Sequence, residues 1–273
     1  MKKIAFLGAG SMAEAMISGF VNGGLYQPAQ IGVTNRSNTN RLLELSKTYG
    51  VSVTDHKKAL LDSADIIILA MKPKDAQEAL LSIREFIEER HLVISVLAGV
   101  TISSITTLLQ KDAAVIRAMP NTSASVRMSA TAMAVNSKAT LHHIQAAKQI
   151  FETIGMVTLV EEEKLDAVTG LSGSGPAYIY YIVEAMEQAA LEVGLEKEMA
   201  RNLILQTLAG ASEMLLQTNK QPSDLRREVT SPGGTTEAGI QALQNYQLQE
   251  AIVACVKSAV ERSKELRAGQ PAR

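Results

Sequence analysis

The stretch Lys3–Ala13, KIAFLGAGSMA, decides how the rest of the chain is read. A short apolar run ends at Gly8, and helical apolar spacing follows from Ser11 to about Gly24. Between them, Gly8-Ala9-Gly10-Ser11-Met12-Ala13 forms a GxGxxA pattern. Alone, that pattern is weak; between a strand and a helix it acquires a mechanism. Gly8 permits the tight turn, Gly10 lets backbone approach a pyrophosphate, and Ala13 allows close helix–strand packing. The pyrophosphate then rests on a helix N-terminus, where unpaired N–H groups and the dipole favour an anion. Gly8, Ala9, Gly10, Ser11 and Met12 are therefore expected cofactor contacts.

Outward from this turn, the first half alternates apolar strand runs with helical patterns. QIGVT (Gln30–Thr34) precedes a helix over Asn38–Tyr49, and DIIILA (Asp65–Ala70) is apolar on both faces, as a central parallel strand is. HLVISVL (His91–Leu97) and AAVIRAM (Ala113–Met119) continue the series, with helices over Lys74–Ile83 and Ile102–Leu109. ATAMAV (Ala130–Val135) and MVTLV (Met156–Val160), around a helix from Leu141 to Ile154, finish it. The alternation predicts an α/β class with a doubly wound, Rossmann-like, mainly parallel sheet.

The end of the second strand selects the dinucleotide. An acidic residue there would accept from a ribose 2′-hydroxyl; the chain instead has Asn35, Arg36 and Ser37. A guanidinium with two short polar neighbours suits a 2′-phosphate, so NADPH (NADP) is expected over NADH. An arginine opening a helix in solvent, with Ser37 or Asn38 as the cap, is the structural alternative.

EEEK (Glu161–Lys164) marks a change of texture. Residues 1–163 read as the dinucleotide-binding domain and 164–273 as an all-helical dimerisation and substrate domain. Helices are expected over Gly175–Val193, stopped by Gly194, then Lys197–Leu216 and Leu248–Arg267. Alanine, methionine and leucine crowd them beyond the needs of one small domain, which points to a helical dimer interface.

Bulk properties exclude several classes. Lys and Arg number 27 against 28 Asp and Glu, a net charge of -1, and tryptophan is absent. Neither a nucleic-acid footprint nor a membrane surface is implied. The apolar run at the N-terminus is broken by Gly8 and Gly10, too soon for an export signal, and no stretch reaches a membrane span. The expected location is cytoplasmic. The single cysteine, Cys255, fits a reducing compartment as a buried thiol, and four histidines with one cysteine offer no metal cluster, so no metal is expected. SGSGP (Ser172–Pro176) lacks the strand–turn–helix elbow of a serine hydrolase.

Near the C-terminus, REVTSPGGTTEAGIQALQ (Arg227–Gln244) has no histidine and no charge between Glu228 and Glu237, yet has the composition of a site. Together with RAMPNT (Arg117–Thr122), GLSGSGPAY (Gly170–Tyr178), AMKP (Ala70–Pro73) and the GxGxxA turn, its SPGGTT resembles the pyrroline-5-carboxylate reductases. The resemblance runs through nearly the whole chain in order and spacing. It implies NAD(P)H-dependent reduction of a cyclic imine carboxylate in proline biosynthesis. It also implies a homodimer built by the helical domain, in many members assembled further into a decamer, and leaves assembly beyond the dimer open for this chain. Ala70, Met71, Lys72, Pro73 and Asn121 become cofactor contacts by the same resemblance. Two departures stand out: Ser123 follows MPNT where many members have proline, and His56-Lys57 stands near where some place an asparagine that contacts the cofactor, which leaves that contact open.

The loop then acquires a physical role. Gly233, Gly234 and Thr235 present successive N–H groups at a helix start, a nest for the substrate carboxylate, with Ser231 and Thr236 adding hydroxyls. Direct hydride transfer needs no covalent nucleophile. Thr236 is the expected hydrogen-bond donor to the imine nitrogen, with a helix N-cap as its structural alternative. A β-hydroxyacid dehydrogenase would share the layout but needs a lysine after GxG, where this chain has Pro176–Ile179. A non-catalytic NADPH-binding regulator would need no SPGGTT loop.

Overall fold

The computed structural model describes residues 2–268. Its sheet contains β1 (Ile4–Leu7), β2 (Ile31–Thr34), β3 (Ser52–Val53), β4 (Ile66–Leu69), β5 (Leu92–Ser95), β6 (Ala114–Met119), β7 (Ser129–Val135) and β8 (Gly155–Leu159). They lie in the order β3-β2-β1-β4-β5-β6-β7-β8. Pairing is parallel except between β6 and β7, which run antiparallel. Strand order therefore reverses between β1 and β4, and ligands bind outside the carboxyl ends at such a switch point.

The helices α1 (Ser11–Asn22), α2 (Thr39–Tyr49), α3 (Lys57–Asp62), α4 (Ala76–Ile83), α5 (Ile102–Leu109) and α6 (Leu141–Glu152) cover both faces. Strand alternation sorts the core between them. Ile4 and Phe6 of β1 pack in one cluster with Met16 and Phe20 of α1, Leu45 of α2 and Phe151 of α6. Ala5 and Leu7 face the other cluster, with Leu61 of α3, Leu80 of α4 and Ile105 of α5. Truncating a fully buried ring such as Phe20 would cost about 3–5 kcal/mol.

Local chemistry sets the ends. Asn38 caps α2 by accepting from the Arg41 N–H at 3.0 Å, and Thr101 caps α5 by accepting from the Ser104 N–H at 3.0 Å. The helix expected over Lys74–Ile83 starts as a 3-10 turn, Pro73–Asp75, before becoming α-helical at Ala76. His143 closes a reciprocal cap with Thr140, whose hydroxyl accepts from the His143 N–H at 3.3 Å.

Strand signals end at Leu159, but the chain stays with the sheet. Leu165, in α7 (Leu165–Val168), is fully buried in the second core cluster. By compactness one unit holds Met1–Pro176 and Ser258–Arg273, and the other holds Ala177–Lys257. Within the first, buried Asp166 accepts from the Ser263 hydroxyl at 2.8 Å and pairs with Arg267 at 3.2 Å.

The remaining helices are α8 (Gly175–Glu192), α9 (Lys197–Thr218), α10 (Pro222–Glu228), α11 (Thr235–Asn245) and α12 (Leu248–Ala268). Gly194 follows α8 at φ 86°, the left-handed geometry expected of a helix stop. These helices bury little. Ala190 is the buried residue of α8, and Ala200 and Ile204 those of α9. Tyr181 is 76% and Leu216 71% exposed. Cys255, expected buried, is half-buried, because the helix carrying it is incompletely covered by this chain. Among the described residues, no helix is long and apolar enough to cross a membrane.

Candidate active site

The cleft at the switch point has a volume of about 720 Å³. Its walls come from three strand ends: Gly8–Met12 after β1, Asn35–Ser37 after β2 and Ala70–Pro73 after β4. Twelve residues named from the sequence thus share one cavity, although they are spread from position 8 to position 73.

Gly8 is obligatory. Its φ is 112°, and a Cβ there would lie 2.4 Å from the Ala70 carbonyl oxygen. The Gly8 N–H also donates to the Thr34 carbonyl at 2.8 Å, so one residue locks three strand ends. Gly10 has the opposite surroundings: a Cβ there meets nothing within 4 Å. The open space lies at the first turn of α1, where N–H groups lack intrahelical partners. Such a cradle fits a dinucleotide pyrophosphate.

Arg36 stands at the rim, its side chain 65% exposed, 3.1 Å from Asp75 and 3.4 Å from Glu78. A guanidinium held by surface carboxylates is poised for exchange, because such pairs contribute only about 0–1 kcal/mol. Lys57 also lines the cleft and donates to the Ser82 hydroxyl at 2.9 Å. Lys57 is the position where the family resemblance left a cofactor contact open, whereas Arg41, which lines the cleft as well, carried no such signal in the sequence.

Asn121 stands apart from the cleft lining. Its side chain accepts from the Ser123 N–H at 3.1 Å and donates to the Ser172 carbonyl at 2.9 Å. It thereby ties RAMPNT to GLSGSGPAY, whose residues Thr169–Gly173 form a π turn, a distortion frequent at functional sites. Arg117 of the same motif is buried, 3.1 Å from Glu162, which also accepts from the Ile102 N–H at 2.8 Å. That arginine is an anchor within the fold.

In the other unit, SPGGTT leads into α11. The Gly233 amide donates to the Glu237 carboxylate at 2.7 Å, and the Gly234 amide turns back to the Ser231 carbonyl at 3.0 Å. Of the three amides expected to form the nest, two are therefore engaged within the loop. Gly233 has φ 71°, which only glycine adopts without strain. The N-cap position belongs to Gly234, so Thr236 is the second helical residue. The N-cap alternative for Thr236 is thereby overturned. Thr236 is half-buried, and among the described residues its hydroxyl has no hydrogen-bond partner. The described residues contain no group of three or more His, Cys, Asp and Glu side chains arranged for a metal.

Comparison with known proteins agrees with this geometry. Residues 162–266 match the family described as pyrroline-5-carboxylate reductase dimerisation, and residues 3–99 match one described as NADP oxidoreductase, coenzyme F420-dependent. Pyrroline-5-carboxylate reductase 2 of Bacillus subtilis is 56% identical over 267 residues, spanning 98% of this chain and 96% of that one. The pyrroline-5-carboxylate reductase of Methanosarcina acetivorans is 38% identical, spanning 97% and 98%. Among solved structures, a pyrroline-5-carboxylate reductase from Coxiella burnetii has a TM-score of 0.90 at 38% identity, covering 97% of this chain and 98% of that one. The Plasmodium falciparum pyrroline carboxylate reductase, solved with NADP bound, has a TM-score of 0.89 at 26% identity, with coverage of 97% and 98%. Likeness of this extent, over nearly the entire length, establishes that the chain belongs to the pyrroline-5-carboxylate reductase family of oxidoreductases.

Proposed function

We propose that this chain reduces 1-pyrroline-5-carboxylate to L-proline, the final step of proline biosynthesis, with NADPH preferred and NADH serving less well. The carrying observation is 56% identity to a pyrroline-5-carboxylate reductase across 98% of the chain. The cleft and the SPGGTT loop supply the chemistry that this reading needs.

When bound, NADPH supplies the hydride. The chain's own residues hold, orient and neutralise. Gly10 and the first turn of α1 receive the pyrophosphate, and Arg36 exchanges Asp75 and Glu78 for the 2′-phosphate. The substrate brings one carboxylate and one ring imine. The carboxylate is held by the Gly233, Gly234 and Thr235 backbone with the Ser231 hydroxyl, and Glu237 cedes the Gly233 amide as it arrives. The Thr236 hydroxyl donates to the ring nitrogen, favouring the electron-poor imine carbon as hydride arrives there. Hydride at the ring carbon and a proton on nitrogen, taken up from water either before hydride arrives or by way of the Thr236 hydroxyl, complete the secondary amine, so neither a histidine nor a covalent intermediate is required.

The chain acts as a cytoplasmic homodimer built through its helical half, with dimers assembling into a decamer. The sparsely buried α8 and α9 support that reading, since such apolar faces need a partner. Sedimentation of the full chain is expected to give even multiples of the 29.3 kDa protomer; a monomer would contradict it. For the reaction, NADPH absorbance is followed with pyrroline-5-carboxylate and with its six-membered homologue. Faster loss with the five-membered ring is expected, and no loss with either would overturn the assignment.

A further inference from the structure

Arg41 is the third residue of α2, and its side chain reaches away from its own helix to the glycine turn. Its Nε donates to the Ala9 carbonyl at 3.0 Å. One terminal nitrogen donates to Glu44 at 2.7 Å, and the other pairs with Glu14 of α1. Glu14 in turn accepts from the Tyr49 hydroxyl at 3.3 Å. The Arg41 side chain is 20% exposed and lines the nucleotide cleft.

The Ala9 carbonyl and the Gly10 N–H belong to one peptide unit. In a planar trans peptide these two groups point in opposite directions. Fixing the carbonyl on Arg41 therefore fixes the direction of the Gly10 N–H. That N–H has no partner among the described residues, and Gly10 is exposed at the open cradle.

We infer that Arg41 is a positioning residue for the dinucleotide phosphates: it clamps the Ala9–Gly10 peptide so that the Gly10 N–H faces the pyrophosphate. Glu44 and Glu14 hold the guanidinium on the backbone instead of leaving it free to swing into the cleft. Hydrogen bonds to Glu44 and then Glu14 also raise its pKa above the ordinary arginine value, so the clamp stays charged throughout the working range. Lysine has the charge but lacks the rigid fork that serves three acceptors together. The inference rests on the NADP-binding reading of the cleft.

Arg36 and Arg41 then have separable roles. Arg36 would distinguish NADP from NAD, whereas Arg41 would act on the pyrophosphate that both share. The test measures dissociation constants of NADP⁺ and NAD⁺ by calorimetry on the full-length protein, beside melting temperatures without ligand, for wild type, Arg41→Gln and Arg41→Lys. Both cofactors are expected to weaken by the same factor, roughly tenfold in Arg41→Gln. Arg41→Lys should weaken both by a smaller common factor. Unchanged dissociation constants beside a lowered melting temperature would overturn the inference, leaving Arg41 as a tie between α1 and α2. Weakening confined to NADP⁺ would overturn it as well, by placing Arg41 on the 2′-phosphate. If Arg41→Gln does not fold, the Arg41→Lys comparison carries the same outcomes. Failure of the wild type to bind either cofactor would instead refute the cofactor reading itself.

Discussion

The Glu237 carboxylate lies 2.7 Å from the Gly233 amide nitrogen, so the chain places its own anion on a group proposed to receive the substrate carboxylate. Removing that charge relieves both the competition and the repulsion between like charges. Glu237→Gln is expected to lower KM for the imine roughly threefold to tenfold while kcat changes little. Steady-state kinetics across imine concentration checks this; a raised KM would show that Glu237 organises the loop for substrate.

Thr236 is expected to support the ring nitrogen as hydride arrives, an interaction that strengthens in the transition state. Thr236→Val should cost roughly 10–1,000-fold in kcat/KM, and Thr236→Ser should retain most activity. Gly234 holds the N-cap position, so no cap is lost in either variant. Their melting temperatures should stay close to wild type. A valine variant with full activity would end the catalytic assignment.

Arg36 sits 3.1 Å from Asp75 and 3.4 Å from Glu78. Arg36→Asp would gather three carboxylates where a 2′-phosphate is expected. The ratio of catalytic efficiencies, NADPH over NADH, should fall about tenfold to a hundredfold, the worth of a charge-assisted contact of roughly 1.5–3 kcal/mol. An unchanged ratio would remove Arg36 from cofactor selection.

His91 is fully buried, and its Nδ1 accepts from the Glu88 N–H at 2.9 Å. Burial first, and then the Arg90 charge, holds its pKa below the ordinary value. Folded His91 stays neutral while the unfolded residue takes up a proton below a pH of about 6.5. The unfolded state then binds more protons, so this contribution is complete above that pH and is lost as pH falls toward the folded pKa. The slope is at most about 1.4 kcal/mol per pH unit. Urea unfolding of wild type and His91→Gln near pH 7.5 and 5.5 should show a flatter pH dependence in the variant, beside a lower stability at both. Equal slopes would remove His91 as a source of acid lability.

The long periodic elements were legible because burial dictates their pattern. The helix Ile102–Leu109 has its expected bounds, and β4, apolar on both faces, lies within DIIILA. The two-residue strand β3, the six-residue α3 and the seven-residue α10 escaped, being too short to display a period. The Glu161–Lys164 charge cluster read as a boundary, yet Leu165 just beyond it enters the sheet's core. The glycine turn after β1 was visible because the uses of glycine are few. Arg41 was not, because in sequence it is a polar residue on an amphipathic helix, and its role depends on an Ala9 carbonyl 32 positions away. Glu237 was visible as the end of an uncharged stretch, but its turn back onto Gly233 required the loop's actual path.

Direct reduction of the imine by this chain leaves an isotopic trace. It is tested by incubating pyrroline-5-carboxylate with NADPH carrying deuterium in its transferable position and analysing the product by mass spectrometry and NMR. The expected product is L-proline with one deuterium on the ring carbon that adjoins nitrogen and does not bear the carboxylate, formed in step with NADPH loss. Unlabelled proline, or no proline beside an intact NADPH pool, would contradict it.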